Sequence, residues 1–309
     1  MLELRRRRAL FEVQPAFVLS NRTPIDRIEL HGFGGSKLPA LCIQELAALV
    51  RSEIPIVLNP LISDSAALTI VISFNGQTPE ICERMDHFLK QPEVLFIGSH
   101  GTMIDRAIIA QRPCIRLSSE PFSREALWNI LGILLSVLEP LIPQFDQSLH
   151  QRIREILASE RTGAEIELSA PILCVLSSSE SVLLAAQLFF GEDCRKLITT
   201  ARLEDFLHGA LLGLMNCSLD RSLIDLLSFR TQMTQHPELS LLREQLRLHR
   251  QIEIDLTRLV DPTEQLITQL MLIEELALTE YHRSPHLFPR SLEHLKPPLN
   301  TTTSEHKIK

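Results

Sequence analysis

In the first half of the chain, short β-branched runs alternate with longer segments whose apolar positions recur at helical spacing. Residues 27–33, 54–58, 67–74, 93–98 and 113–117 read as strands, and 37–52, 78–90, 102–111 and 123–141 as helices. The strands are close to continuously apolar, which is the pattern of a parallel sheet covered on both faces. Turn signals fall where strands hand over to helices, at residues 32–36, at Asn75-Gly76 and at 98–101. Two prolines, Pro140 and Pro143, then interrupt the pattern within residues 139–145. A polar amphipathic helix over 147–159 leads into a second series. Strands are predicted at 172–177, 196–200, 222–228 and 251–256, and helices at 180–190, 203–215, 237–248 and 262–282. A short amphipathic piece over 289–295 precedes a polar tail from Asn300. The expected class is α/β, with two units at 1–144 and 145–309, each a parallel sheet flanked by helices in a flavodoxin-like three-layer sandwich, and a C-terminal helical tail.

Composition narrows the function. The 309 residues are 45% hydrophobic and 22% charged, enough apolar material for a sizeable core and too much for disorder. A net charge of −7 and a pI of about 5.9 argue against a nucleic-acid partner, since phosphate-backbone binding needs a clustered positive field. One Trp, one Tyr and 5% aromatics also leave few platforms for stacking bases. The apolar stretch 126–138 is interrupted by Asn129 and is too short to span a bilayer, so no membrane partner is expected. The basic run Arg5 to Arg8 is followed by Glu12 and Pro15, which break any signal-peptide core. Cysteines at 42, 82, 114, 174, 194 and 217 form no CxxC pair and read as free thiols of a reducing cytoplasm. His282 and His286 have Pro285 between them and no further ligand to complete a metal set, so neither metal nor cofactor is expected.

Two turns carry candidate chemistry. His31-Gly-Phe-Gly-Gly-Ser36 follows a strand and opens a helix, where glycines let the backbone approach a ligand and unpaired N–H groups face an anion. The spacing is not GxGxxG, and Leu58-Asn59 stands where a dinucleotide site needs an acidic residue. Alone, this turn is as consistent with tight packing as with a phosphate. Ser73-Phe-Asn-Gly-Gln-Thr-Pro-Glu80 repeats the placement, with Ser73, Asn75 and Thr78 as donors and Pro79 at the first helical position. Thr78 could simply cap its helix. Two such turns in one unit favour a ligand.

The second turn resembles the S-x-S-G-x-T-x-E signature of sugar isomerase (SIS) domains, which bind phosphosugars. Gly32-Phe-Gly-Gly-Ser36 resembles the G-x-G-G-S turn of one subgroup, the bifunctional phosphoglucose/phosphomannose isomerases. Pro121-Phe-Ser-Arg124-Glu-Ala-Leu127 is similar to that subgroup's P-R-a-a-l helix start, with two residues inserted. Phe190-Gly-Glu192-Asp-Cys-Arg195 resembles its F-N-E-N-A-K motif. Asp205-Phe-Leu-His208-Gly-Ala-Leu-Leu-Gly213 resembles its E-L-N-H-N-E-I-x-G motif, with the histidine sixteen residues after the glutamate in both. Ser291-Leu-Glu-His-Leu-Lys296-Pro-Pro-Leu299 is similar to its I-x-x-L-K-x-x-L ending. The likeness runs from about Arg27 to Leu299. Asn75 stands where the family has a serine, Gly191 and Asp193 where it has asparagines beside the glutamate, and Leu207 and Gly209 where it has asparagines beside the histidine.

The resemblance implies two SIS domains and a metal-free aldose–ketose isomerase of glucose 6-phosphate, with mannose 6-phosphate as a candidate second substrate, giving fructose 6-phosphate. Gly35, Ser36, Ser73, Asn75 and Thr78 would hold the phosphate. Glu192 would be the base, His208 would open the sugar ring, Lys296 would assist from the tail, and Arg124 would stabilise enediolate charge. In this family the histidine comes from a partner subunit, so a homodimer with shared sites is implied. The chemistry suits these side chains: a carboxylate raised by burial can move a proton between adjacent carbons, and histidine titrates near the working pH. Two rival readings stand beside it: a non-catalytic phosphosugar sensor, and another SIS-type sugar-phosphate isomerase.

Overall fold

A computed structural model of the chain describes residues 11, 25–61, 67–117, 126–159, 166–194, 196–206, 223–231 and 248–283. Five parallel strands form the first sheet: β1 Arg27–His31, β2 Ile56–Leu58, β3 Ala67–Ile72, β4 Glu93–Gly98 and β5 Cys114–Arg116, in the order β2-β1-β3-β4-β5. Four more form the second: β6 Ile172–Ser177, β7 Leu197–Arg202, β8 Ile224–Arg230 and β9 Arg250–Asp255, in the order β7-β6-β8-β9. Every pairing is parallel. In both sheets the first strand lies inside and its successors diverge to either side, so the second sheet repeats the order of the first up to its fourth strand.

The helices are α1 Lys37–Leu49, α2 Pro79–Glu83, α3 Met85–Phe88, α4 Thr102–Ile109, α5 Leu127–Leu138, α6 Gln147–Ala158, α7 Glu180–Ala186, the short turn α8 Leu203–Asp205 and the long α9 Pro262–Arg283. Side chains alternate across the strands as the pleat requires. Ile28, Leu30, Leu68, Ile70, Ile72, Leu95 and Ile97 face one way and join Leu173, Val175, Leu227 and Phe229 of the second sheet in one core. α1, α5, α7 and α9 pack together in this core, so the two sheets share a helical layer. Eleven of the twelve residues of α5 are buried, which is why it carries no polar stripe. On the outer face of the first sheet, Val71, Val94 and Phe96 pack on Ile81, Met85 and Phe88 of α2 and α3 and on Met103 and Ile104 of α4.

Two elements differ from the sequence expectation. The predicted helix 78–90 breaks at Arg84 (φ −98°, ψ 4°), whose guanidinium reaches the carbonyl of Pro60 at 3.0 Å and lies 5.0 Å from the Phe88 ring centre. The predicted helix 180–190 runs on through a π-helical stretch, Gln187–Asp193. The predicted helix 237–248 falls almost wholly outside the described residues, as does most of 203–215. The basic run Arg5–Arg8 and the tail lie outside them altogether. No helix among the described residues is long and apolar enough to cross a membrane.

Candidate functional site

The order β2-β1-β3-β4-β5 places a switch point between β1 and β3. The connection leaving β1 crosses to one face of the sheet and that leaving β3 to the other, so a crevice opens at their carboxyl ends. Both polar turns singled out in the sequence stand there. The first, Gly34–Ser36, is a 3-10 turn running directly into α1. Gly32 starts it because a Cβ there would lie 2.5 Å from the Ser36 carbonyl oxygen. Asn59, from the end of β2, holds Gly32 on both sides: its Oδ1 accepts from the Gly32 N–H at 3.0 Å and its Nδ2 donates to the Gly32 carbonyl at 2.9 Å. Gly35 is half-buried at the tip, while Ser36 is buried and its Oγ accepts from the Phe74 N–H at 3.3 Å. That bond ties the first turn to the second.

In the second turn Ser73, fully buried, meets Thr78 across the turn with their hydroxyl oxygens 2.8 Å apart. Asn75 is exposed and its Oδ1 accepts from the Gln77 N–H at 3.1 Å. A third turn, after β4, locks against it. Ser99 donates to the Phe74 carbonyl through both its N–H (2.7 Å) and its hydroxyl (2.6 Å). Its hydroxyl also lies 2.6 Å from Nδ1 of His100, which is exposed. Gly76 (φ +61°) and Gly101 (φ +86°) make this interlock possible: a Cβ on Gly76 would sit 2.0 Å from the His100 carbonyl oxygen, and one on Gly101 2.2 Å from that of Asn75.

The helix starts at this edge share a property. α1, α2 and α4 begin at Ser36, Thr78 and Gly101, and none of the three receives a side-chain cap from its own first residue. Ser36 and Thr78 would ordinarily cap, but their hydroxyls are spent on Phe74 and Ser73 instead. Several first-turn N–H groups are already engaged: Lys37 bonds the Gly34 and Gly35 carbonyls, Ile81 that of Thr78 and Met103 that of Gly76, while Pro39 and Pro79 carry none. The three starts still bring their positive dipole ends toward one crevice, an arrangement suited to an anion. The contrast within the molecule is sharp: Asp146 caps α6 through the Leu149 N–H at 2.9 Å, and Ser179 caps α7 through the Val182 N–H at 3.1 Å.

Directly below lies a buried charged layer. Glu29 and His31 point to the outer face of the sheet and are fully buried, Glu29 pairing with Arg27 at 2.5 Å. The His31 ring packs against Phe88 in a tilted arrangement, with centroids 4.8 Å apart and planes inclined by 56°. Burial, helped by the nearby Arg84 cation, pushes the His31 pKa down to about 4, so the ring is neutral near pH 7.

Gly35, Ser36, Ser73, Asn75 and Thr78 thus gather at one edge. Glu192 belongs to the π-helical end that follows α7, just after the buried Phe190; its side chain, like Arg124, His208 and Lys296, lies outside the described residues. Asn59, Ser99 and His100 were not singled out from the sequence. The turn signal at 98–101 was visible, but only the strand order brings it beside Asn75. Among the described residues no group of three potential metal ligands forms.

No protein-family model matches the chain, and no curated protein matches it in sequence. Solved structures do match. A crystal structure from Clostridium difficile 630, provisionally described as a phosphosugar isomerase, aligns with a TM-score of 0.64 at 16% identity, over 96% of each chain. The chain shares the fold of that structure. The glucosamine-6-phosphate deaminase of Thermotoga maritima aligns at 0.63 and 15% identity, covering 91% of this chain and 93% of that one. The tagatose-6-phosphate ketose/aldose isomerase of Escherichia coli aligns at 0.58 and 20% identity, covering 86% and 83%. At these identities the likeness extends to the fold, the two parallel sheets with their flanking helices.

Proposed function

We propose that the chain is a sugar-phosphate aldose–ketose isomerase that interconverts glucose 6-phosphate, and mannose 6-phosphate, with fructose 6-phosphate. The observation that carries the reading is the trio of helix starts without side-chain caps at the β1/β3 switch point, in a fold shared with proteins of phosphosugar chemistry. A phosphate dianion seated there needs no lysine or arginine: the helix dipole ends face it, and the protons left on Ser36, whose Oγ accepts from Phe74, and on one of the Ser73–Thr78 pair serve as donors. The chain's net charge of −7 is no obstacle to such a site.

In this reading the two units, 1–144 and 145–309, divide the work. The first holds the phosphate and supplies Arg124. The second supplies Glu192, which transfers the proton between C1 and C2 through a cis-enediolate, and Lys296 from the tail. His208 is contributed by the other subunit of a homodimer and opens the ring, and the protein works in the cytoplasm. Coupled assays on glucose 6-phosphate and mannose 6-phosphate test the proposal. Turnover is expected on at least one, falling by about 10²–10⁴-fold in Glu192→Gln, the range for loss of a general base. No turnover on either sugar, or full activity in Glu192→Gln, would defeat it.

A second reading keeps the fold and changes the sugar. The matched proteins named for tagatose 6-phosphate and glucosamine 6-phosphate favour including both compounds in the same panel. Binding of all four without turnover would instead favour a phosphosugar sensor.

A further inference from the structure

The second sheet has its own switch point, between β6 and β8, and the turn after β6 is already filled by a carboxylate. Glu45, from the third turn of α1, reaches the start of α7 across more than 130 residues of chain. Its Oε1 accepts from the backbone N–H groups of Glu180 (2.7 Å) and Ser181 (3.3 Å), and its Oε2 from the hydroxyls of Ser179 (2.7 Å) and Ser181 (2.5 Å). A negative charge at a helix start, taking four hydrogen bonds, is held more firmly than a surface ion pair. From the other side, the Ser177 hydroxyl donates to Gln269 of α9 at 2.9 Å and accepts from the Ser179 N–H at 3.1 Å, so the 177–181 turn is gripped by two helices.

What Glu45 joins is the point. α1 begins at the Gly34–Ser36 turn, and Glu45 lies nine residues along, about 13 Å at helical rise. α7 continues without interruption into the π-helical stretch that contains Glu192, eleven residues from Ser181. One carboxylate therefore pins together two rigid arms, one starting at the proposed phosphate turn and the other ending at the proposed base. We infer that Glu45 is a positioning residue, fixing the phosphate turn and Glu192 in one frame; the inference rests on the isomerase reading above. Displacement of a reacting group by about 1 Å can cost on the order of a hundredfold in rate, which is the scale on which such a clamp matters.

The test compares wild type, Glu45→Ala and Glu45→Asp. The aspartate keeps the charge and guards against a variant that fails to fold, while withdrawing the carboxylate by one methylene. Both variants are expected to lose at least tenfold in kcat, while the Kd for inorganic phosphate changes less than threefold. Amide hydrogen exchange over residues 180–193 should quicken at least tenfold in Glu45→Ala. Wild-type kcat in both variants, or a loss of kcat matched by an equal loss of phosphate affinity, would overturn the inference. An inactive wild type would overturn the isomerase reading instead. The clamp would then be decided by exchange alone, and unchanged protection of 180–193 in Glu45→Ala would refute it.

Discussion

Gly76 and Gly34 both have positive φ, yet the structure assigns them opposite tolerance. A Cβ at Gly76 would meet the His100 carbonyl oxygen at 2.0 Å, with φ at +61°, whereas one at Gly34 (φ +53°) would meet nothing within 4 Å. Gly34→Ala should cost only the left-handed strain, about 1–2 kcal/mol, and Gly76→Ala distinctly more, because the third turn must also move. Urea denaturation of the two variants measures the difference, and equal losses would contradict the interlock. His31 gives a second residue-scale expectation. Its folded pKa of about 4 lies below the unfolded value of 6.5, so between these limits the unfolded chain binds the proton first. Stability contributed by the neutral ring is complete above pH 6.5 and is lost as pH falls toward 4, at a slope of at most about 1.4 kcal/mol per unit. His150, also lowered by burial, adds to the same trend. In His31→Leu the dependence of unfolding free energy on pH over this interval should flatten, leaving the His150 share; an unchanged slope would remove His31 from the account. Both residues were in plain view in the sequence, but not these roles. A strand pattern shows that His31 precedes a glycine turn, and the tilted Phe88 ring and the Arg84 cation come from another part of the chain.

At the scale of elements, the alternation of apolar and polar positions was sufficient to place the nine strands among the described residues to within a few residues, since a buried parallel sheet is nearly continuous in apolar side chains. It was insufficient where a polar side chain decides the backbone. Ile81, Met85 and Phe88 keep helical spacing across 78–90, so the segment reads as one helix, but Arg84 leaves helical geometry to bond the Pro60 carbonyl. The same residue is the principal charge depressing the His31 pKa after burial. Arg84→Ala should therefore raise that pKa toward 6.5, read from the pH dependence of the His31 ring resonances by NMR. A value that stays or falls would show that the break at Arg84 and the buried layer are independent. The π-helical end of α7 was hidden for a different reason: the longer period of a π-helix does not register over only seven residues, and such turns gather at functional sites. The switch-point crevice was half legible. Two of its turns carried a phosphate-like composition, while the third, with Ser99 and His100, became part of it only through the β1-β3-β4 neighbourhood.

For the whole molecule, the sequence counts two strand–helix series, and the structure adds that their inner faces feed one core. Chain statistics cannot show this, because an apolar helix such as α5 reads the same whether it covers one sheet or lies between two. Trp128, the single tryptophan of the chain, marks the junction. It is fully buried on α5, and its indole N–H donates to Glu274 of α9 at 2.9 Å, bridging 146 positions of sequence. Since α1, α5, α7 and α9 are packed against one another, losing the second sheet would expose the apolar side of the first, and the two should unfold together. Urea unfolding followed by Trp128 fluorescence and by far-ultraviolet circular dichroism is expected to give coincident single transitions. Glu274→Ala, which strands a buried indole N–H, should shift both midpoints equally, with a loss of about 1–3 kcal/mol. Separate transitions, or a shift confined to the fluorescence, would mean that each sheet is stable without the other and that the shared core is a contact rather than a requirement.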